Sequence, residues 1–173
     1  MAWFYPTMYR CRITDVTVED LRHQGVRAVL LDVDNTLTTH DAPDLDVVVR
    51  EWLERMQAEG IRLIIVSNNS PQRVEPFASS VGLPFVAHAR KPLSSGYRAA
   101  ATALDVPLRE CMAIGDQMFT DILGANWAGI PSVLLEPIQP EVEQKFIVFK
   151  RKIERWLMKN KRQQRRREMD YGH

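Results

Sequence analysis

Short apolar runs recur along this chain, and each ends in residues that favour turns. Residues 26–31, 61–66 and 111–114 are nearly continuous in aliphatic side chains, the pattern of strands covered on both faces. Residues 85–87 form a weaker run and residues 132–135 a fifth. The intervals between runs carry a different period. In residues 47–59 the apolar positions Val48, Trp52, Leu53 and Met56 fall at helical spacing, and Gly60 stops them. Pro71 takes the first position of a helix that runs to about residue 81 before Gly82. Residues 93–104 and 118–128 are two more helices, the second closed by Gly129, and Thr17-x-x-Asp20 starts a short one through Arg22. Strand and helix alternate, which predicts a three-layered α/β domain, Rossmann-like, around a mostly parallel sheet of five strands.

Parallel strands deliver their C-terminal ends to one edge, the edge at which open α/β sheets bind ligands. The residues at those ends are therefore the candidates for chemistry. The first run ends in Leu31-Asp32-Val33-Asp34-Asn35-Thr36-Leu37-Thr38, the second in Ser67-Asn68-Asn69-Ser70, and the fourth in Gly115-Asp116-Gln117-Met118-Phe119-Thr120-Asp121. Lys91 follows the third run within Arg90-Lys91-Pro92. An Asp-x-Asp pair in that position holds a divalent cation and does nucleophile and acid/base work, or it shapes a turn or caps a helix. Ser67 alone reads as a turn residue, Lys91 as a solvated loop charge and Asp116 as a helix cap. Their occurrence together and in this order argues for a shared site.

This set resembles the haloacid dehalogenase (HAD) superfamily over roughly residues 26–136. Asp32, Asp34 and Thr36 match its first motif, Ser67 the second, Lys91 the third, and Gly115, Asp116 and Asp121 the fourth. An Asp at the second position of the first motif points to phosphatases. The wording is most similar to the class IIIA, YqeG-type branch, itself similar to mitochondrial phosphatases that act on phosphatidylglycerophosphate. The resemblance implies Mg²⁺ held by Asp32, Asp34 (through its backbone carbonyl) and Asp116. It implies Asp32 as nucleophile, Asp34 as acid and base, Ser67 as a donor to the phosphoryl group with backbone amides near Asn35 and Asn68, and Lys91 as charge compensation. Thr36, Asn68 and Asp121 are expected to support these groups, Asp121 by holding Lys91 or a metal-bound water.

Loop lengths bear on the substrate. Only 32 residues separate Asp34 from Ser67 and 23 separate Ser67 from Lys91, and the predicted helices and strands occupy most of both gaps. Neither houses a folded cap domain, which needs on the order of 50 residues. The site is expected to be open, with residues 38–46 as its only flap. An open site suits a substrate large enough to cover it or one presented on a surface.

Charge is unevenly spread. The net charge is +1, yet residues 141–173 hold eleven Lys/Arg against five Asp/Glu. Val142, Phe146, Phe149, Ile153 and Trp156 recur there at helical spacing, flanked by Lys150, Arg151, Lys152 and Arg155. The expected organisation is a catalytic domain over 1–140 and an amphipathic basic helix and tail over 141–173. That helix packs on the domain, touches an anionic membrane with the Trp3-Phe4-Tyr5 cluster, or binds RNA or a ribosome through Arg165-Arg166-Arg167. Substrate readings follow suit: phosphatidylglycerophosphate first, a soluble nucleotide or sugar phosphate second, and a non-enzymatic RNA-binding role third. Two cysteines and four histidines show no zinc spacing, and no apolar run reaches 18 residues. The opening residues, broken by Pro6, do not read as a signal peptide. The expected location is cytoplasmic, with peripheral contact at the inner membrane surface.

Overall fold

The computed structural model describes residues 4–39 and 45–138. The predicted C-terminal basic helix and most of the predicted flap over 38–46 lie outside the described residues. The elements, in chain order, are β1 (Met8–Arg10), α1 (Val18–His23), β2 (Ala28–Leu31), α2 (Val47–Ala58), β3 (Arg62–Val66), α3 (Pro71–Ser80), β4 (Phe85–Val86), α4 (Ser95–Ala103), β5 (Cys111–Gly115), α5 (Leu123–Ala128) and β6 (Ser132–Leu135). One turn of π-helix, Met118–Ile122, leads into α5.

The sheet is entirely parallel, in the order β1-β6-β5-β2-β3-β4. It has six strands rather than the expected five. The additional one, β1, is a three-residue edge strand pairing β6, and Met8-Tyr9-Arg10 contains no apolar run to announce it. From β2 the chain builds outward through β3 and β4, then returns to the other side of β2 as β5. Leu31 of β2 pairs Ile65 of β3 and Ile114 of β5. The order of strands thus reverses at β2, and the crevice beside its C-terminal end is the switch point where such sheets bind ligands.

Alternation along the strands sorts side chains between two cores. Val29, Leu31, Leu63, Ile65, Met112 and Ile114 pack with α1, α2 and α3, around Leu21, Trp52, Met56 and Val74. Ala28, Leu30, Ile64, Val66, Cys111 and Ala113 pack with α4 and α5, around Tyr97, Ala100 and Ala125. Trp52 fills its core fully and spends its ring N–H on the Val16 carbonyl at 2.8 Å, so no polar group is stranded. Every described α-helix leaves through a residue at positive φ: Gly25, Gly60, Gly82, Asp105 and Gly129. Asp105 is the only non-glycine among them.

Candidate active site

Strand alternation dictates where Asp32 points. Leu31 belongs to the α2/α3 face, so the next residue turns to the α4/α5 face, where the β4–α4 loop and the π-turn bring their own charges. Lys91, from that loop, donates from Nζ to Asp32 Oδ1 at 2.6 Å and to Asp121 Oδ1 at 2.7 Å. All three side chains are buried, the Lys91 side chain with 4 % of its surface exposed. The solvated-lysine reading of the sequence therefore fails: an ammonium this deep is stable only between partners.

The support around Lys91 is built from both sides. The Asn68 side chain brackets the Lys91 backbone, donating from Nδ2 to its carbonyl at 3.0 Å and accepting from its N–H at 2.6 Å. Asp121 accepts with its second oxygen from the Gln117 N–H at 3.1 Å, and Tyr97 OH donates toward the Asp121 backbone carbonyl at 3.2 Å. Gly115 makes room for this: a Cβ there would sit 2.7 Å from Asp121 Cβ and collide with its carboxylate. The Gly of the fourth motif is thus required by packing, next to Asp32 in the neighbouring strand.

Charge shapes the site. Burial pushes the Asp32 carboxyl up to about 7, with the Lys91 ammonium pulling it down and the Asp121 charge adding to the rise. Burial works against the Lys91 ammonium, but Asp121 and Asp32 outweigh it and hold its pKa above the usual lysine value. Burial and then Asp121 raise the Tyr97 hydroxyl, which stays neutral.

Carboxylate oxygens of Asp32, Asp116 and Asp121 lie within 4.8 Å of one another, three acids against the single ammonium of Lys91. Asp121 already has both oxygens engaged, whereas Asp32 Oδ2 is buried and receives no hydrogen bond from any described residue. A hard divalent cation fits this donor set, since Mg²⁺ prefers carboxylate oxygens and supplies the missing positive charge. Asp32 and Asp116 are the side chains placed to hold it.

Asp34 points elsewhere. Its Oδ2 accepts from Asn69 Nδ2 at 2.7 Å, and its Oδ1 lies 3.6 Å from the Arg73 guanidinium. The side chain is therefore apart from the acidic cluster. The turn carrying it is closed by Asn35, in the left-handed region at φ 61°, whose N–H donates to the Thr38 carbonyl at 2.7 Å. The Asn35 amide itself is spent within the turn. Thr36 is buried beneath it. Ser67 accepts at Oγ from the Asn69 N–H at 3.1 Å and lines, with Asp34, Asn69, Arg73 and Phe77, a cavity of about 270 Å³.

Sequence reading left three contributors without a role. Asn69 stood as a turn residue beside Ser67, and Arg73 and Tyr97 were not singled out. Only the fold brings them to Asp34 and Asp121. The spacing Ser67-x-Asn69, one residue apart after a buried strand, was the single available signal.

Residues 43–129 match the family model of haloacid dehalogenase-like hydrolases, a span that contains Ser67, Lys91, Asp116 and Asp121 and begins just after Asp34. The chain is 35% identical over 157 residues to the probable phosphatase YqeG of Bacillus subtilis, covering 90% of both chains. It is 27% identical over 143 residues to the chloroplastic phosphatidylglycerophosphate phosphatase 1 of Chlamydomonas reinhardtii. There it covers 78% of this chain and 53% of the relative, so the chain spans about half of that protein's length. Among solved structures, an uncharacterized protein from Listeria monocytogenes serotype 4b superposes with a TM-score of 0.55 at 22% identity, over 69% of this chain and 85% of that one.

Proposed function

We propose, for a chain that belongs to the haloacid dehalogenase-like hydrolases, a Mg²⁺-dependent phosphatase of phosphate monoesters, with phosphatidylglycerophosphate as its substrate. The observation that carries the reaction class is the buried Asp32–Lys91–Asp121 arrangement with Asp32 Oδ2 left unengaged at the switch point of the sheet. The 35% identity to a probable phosphatase over nearly the whole chain supports it.

Hydrolysis of such esters requires an enzyme to remove on the order of 20 kcal/mol from the barrier, mostly through positioning and charge compensation. A carboxylate oxygen of Asp32 attacks phosphorus while the bond to the leaving oxygen breaks, forming an acyl phosphate on Asp32. Asp34, held by Asn69 and beside Arg73, gives its proton to the departing alkoxide. As a carboxylate it then takes a proton from water, whose oxygen attacks phosphorus and expels Asp32, releasing inorganic phosphate. Lys91 fixes one Asp32 oxygen throughout and balances charge shared with the transferring group. Asp32, Asp116 and the Asp34 backbone carbonyl would hold Mg²⁺, which would supply Lewis-acid chemistry to the phosphoryl group. Ser67 donates to the phosphoryl group once Asn69 N–H holds its Oγ in place.

Two observations favour a lipid over a soluble ester. Among the described residues the large exposed apolar side chains are Phe4, Val47, Val48, Leu93, Trp127 and Ile138. Leu93 lies in the β4–α4 loop, Val47 and Val48 open α2, Ile138 follows β6, and Phe4 stacks edge-on against Phe119 at 5.6 Å. Val47, Val48, Leu93 and Ile138 stand at the catalytic edge, whereas Phe4 precedes β1 and Trp127 ends a helix at the opposite edge. The second observation is the identity to a phosphatidylglycerophosphate phosphatase. No described helix is long and apolar enough to cross a membrane, so contact would be peripheral. Phosphate release from phosphatidylglycerophosphate in mixed micelles with Mg²⁺ tests the reading. Wild type is expected to release phosphate and Asp32→Asn none. Turnover of soluble esters without turnover of the lipid would keep the chemistry and discard the membrane.

A further inference from the structure

The first turn of α2 runs against the usual composition of a helix start in water. Val47, Val48 and Val49 open it, and β-branched side chains are poor helix formers. The turn holds no acidic residue, although a helix N-terminus favours one, and Asp46 before it accepts from the Val48 N–H at 3.0 Å. Val49 is buried in the core, whereas Val47 and Val48 are 68 % and 54 % exposed. Single exposed apolar residues are ordinary, but these two belong to a set.

The set surrounds the mouth of the site. All strands are parallel, so the connections after β2, β4 and β6 reach the same edge of the sheet. Ile138 follows β6 on one side of β5 and β2, Leu93 follows β4 on the other, and Asp32 and Asp116 lie between them. Val48 and Ile138 line one groove, floored by Ile13, Leu37 and Leu135. That groove shares Thr38 and Thr39 with the cavity beside Asp34, so it adjoins the catalytic turn.

The charges of this rim point to the partner. Arg12 borders the groove and Arg90 lies in the same loop as Leu93, and both are exposed. Arg90 faces outward between Ala89 and Lys91, which are buried. The exposed acids nearby have local bonds: Asp15 accepts from the Arg12 N–H and Glu136 from the Tyr9 hydroxyl. From Ile138 the chain continues into residues 141–173, where eleven Lys/Arg stand against five Asp/Glu.

We infer that Val47, Val48, Leu93 and Ile138 form a docking face for an anionic bilayer. The first turn of α2 enters the apolar layer, and Arg12, Arg90 and the basic residues after Ile138 meet lipid phosphates. The inference deepens the lipid reading above and rests on it. Docked in this way, the mouth between β5 and β2 opens on the surface that presents the ester.

The test is cosedimentation of the full chain with vesicles of phosphatidylcholine, alone or mixed in equal parts with phosphatidylserine, which carries no phosphate monoester. Wild type is expected on the mixed vesicles and not on phosphatidylcholine, with binding that weakens as salt is added. Val47→Ser/Val48→Ser keeps the charge and should lower the partition about 10–100-fold, the worth of covering the exposed halves of two valines. Serine suits a helix start, so thermal unfolding should not move. Val47→Leu/Val48→Leu adds a methylene at each position and should raise the partition about tenfold. Hydrolysis of p-nitrophenyl phosphate in solution should be the same in all three proteins. No binding by wild type, or a partition indifferent to both substitutions, overturns the docking face. So does a lowered thermal midpoint in the serine variant, which would mean that the valines are covered within the folded protein. A dimer seen by sedimentation velocity in wild type and lost in the serine variant would make the face a contact between copies and overturn it too. Absence of phosphate release from every ester by wild type would instead overturn the phosphatase reading and leave the vesicle result standing.

Discussion

Replacing Lys91 with Met removes the one cation from a buried cluster and keeps most of its volume. Two hydrogen bonds to carboxylates vanish, each worth about 1.5–3 kcal/mol, so the direct loss is roughly 3–6 kcal/mol. A ceiling comes from protonation. At pH 7 a carboxyl of ordinary pKa 3.8 takes up a proton for about 1.36 kcal/mol per unit, or roughly 4 kcal/mol, so the folded variant takes a proton into the cluster rather than bury an unpaired charge. The expected destabilisation is therefore about 3–4 kcal/mol at pH 7. The sign with pH follows. The folded variant binds one proton more than wild type, its carboxyl having a raised pKa, so its stability is fullest below pH 4 and falls as pH rises through that raised value. Relative to wild type the deficit should shrink by about 1.4 kcal/mol for each unit of acidification, to roughly 0–1 kcal/mol at pH 5. Asp121→Asn leaves Lys91 with Asp32 alone, and the double variant Lys91→Met/Asp121→Asn should lose less than the sum of the singles by at least about 1.5 kcal/mol. Urea unfolding of the four proteins at pH 5 and 7 measures all of this. Additive losses, or a Lys91→Met deficit that is the same at both pH values, would refute the reasoning.

Gly115→Ala should cost about 1–3 kcal/mol and reduce kcat at least tenfold, because the new methyl displaces the Asp121 carboxylate from Lys91; thermal unfolding and steady-state kinetics check it. Mg²⁺ binding requires ionised Asp32, whose pKa burial holds at about 7, so apparent Mg²⁺ affinity should rise up to tenfold per pH unit to about pH 7 and level off above. Titration calorimetry from pH 5.5 to 8.5 measures that rise, and a flat profile would exclude Asp32 as a ligand. Asn68→Ala should lower kcat without abolishing folding, since it frees the Lys91 backbone from its two bonds; retained kcat would show that the bracket is dispensable.

Much of this arrangement was legible in one dimension. β2, β3 and β5 announce themselves because a strand covered on both faces must be apolar throughout, and Asp32 stands out as the first charge after such a run. The helix limits followed from Pro71 and the glycines, to within a residue or two. What escaped depends on pairing distant in sequence. Nothing local says that β5 returns beside β2; the Asp121–Lys91 contact was expected only through the family resemblance, and the packing of Gly115 against Asp121 had no local trace. Arg73 carries no signal in the sequence, and β1 draws its stability from β6, 122 or more residues away, rather than from its own side chains.

The five left-handed helix exits have a consequence for how the protein can change. Each exit returns the chain to the N-terminal edge of the sheet, whereas Asp34, Asn69 and Lys91 sit in connections at the other edge, and Arg73 in the first turn of α3. The catalytic edge has left-handed residues of its own, Asn35, His88 and Arg90, so conformational and chemical demand share those loops, while the helix exits carry conformational demand alone. A connection carrying substrate contacts can be exchanged with every helix end intact, and a helix exit can be tightened, Asp105 to Gly first, beyond the reach of the substrate. At the helix exits, selection for durability acts apart from selection for specificity; at the catalytic edge the two meet.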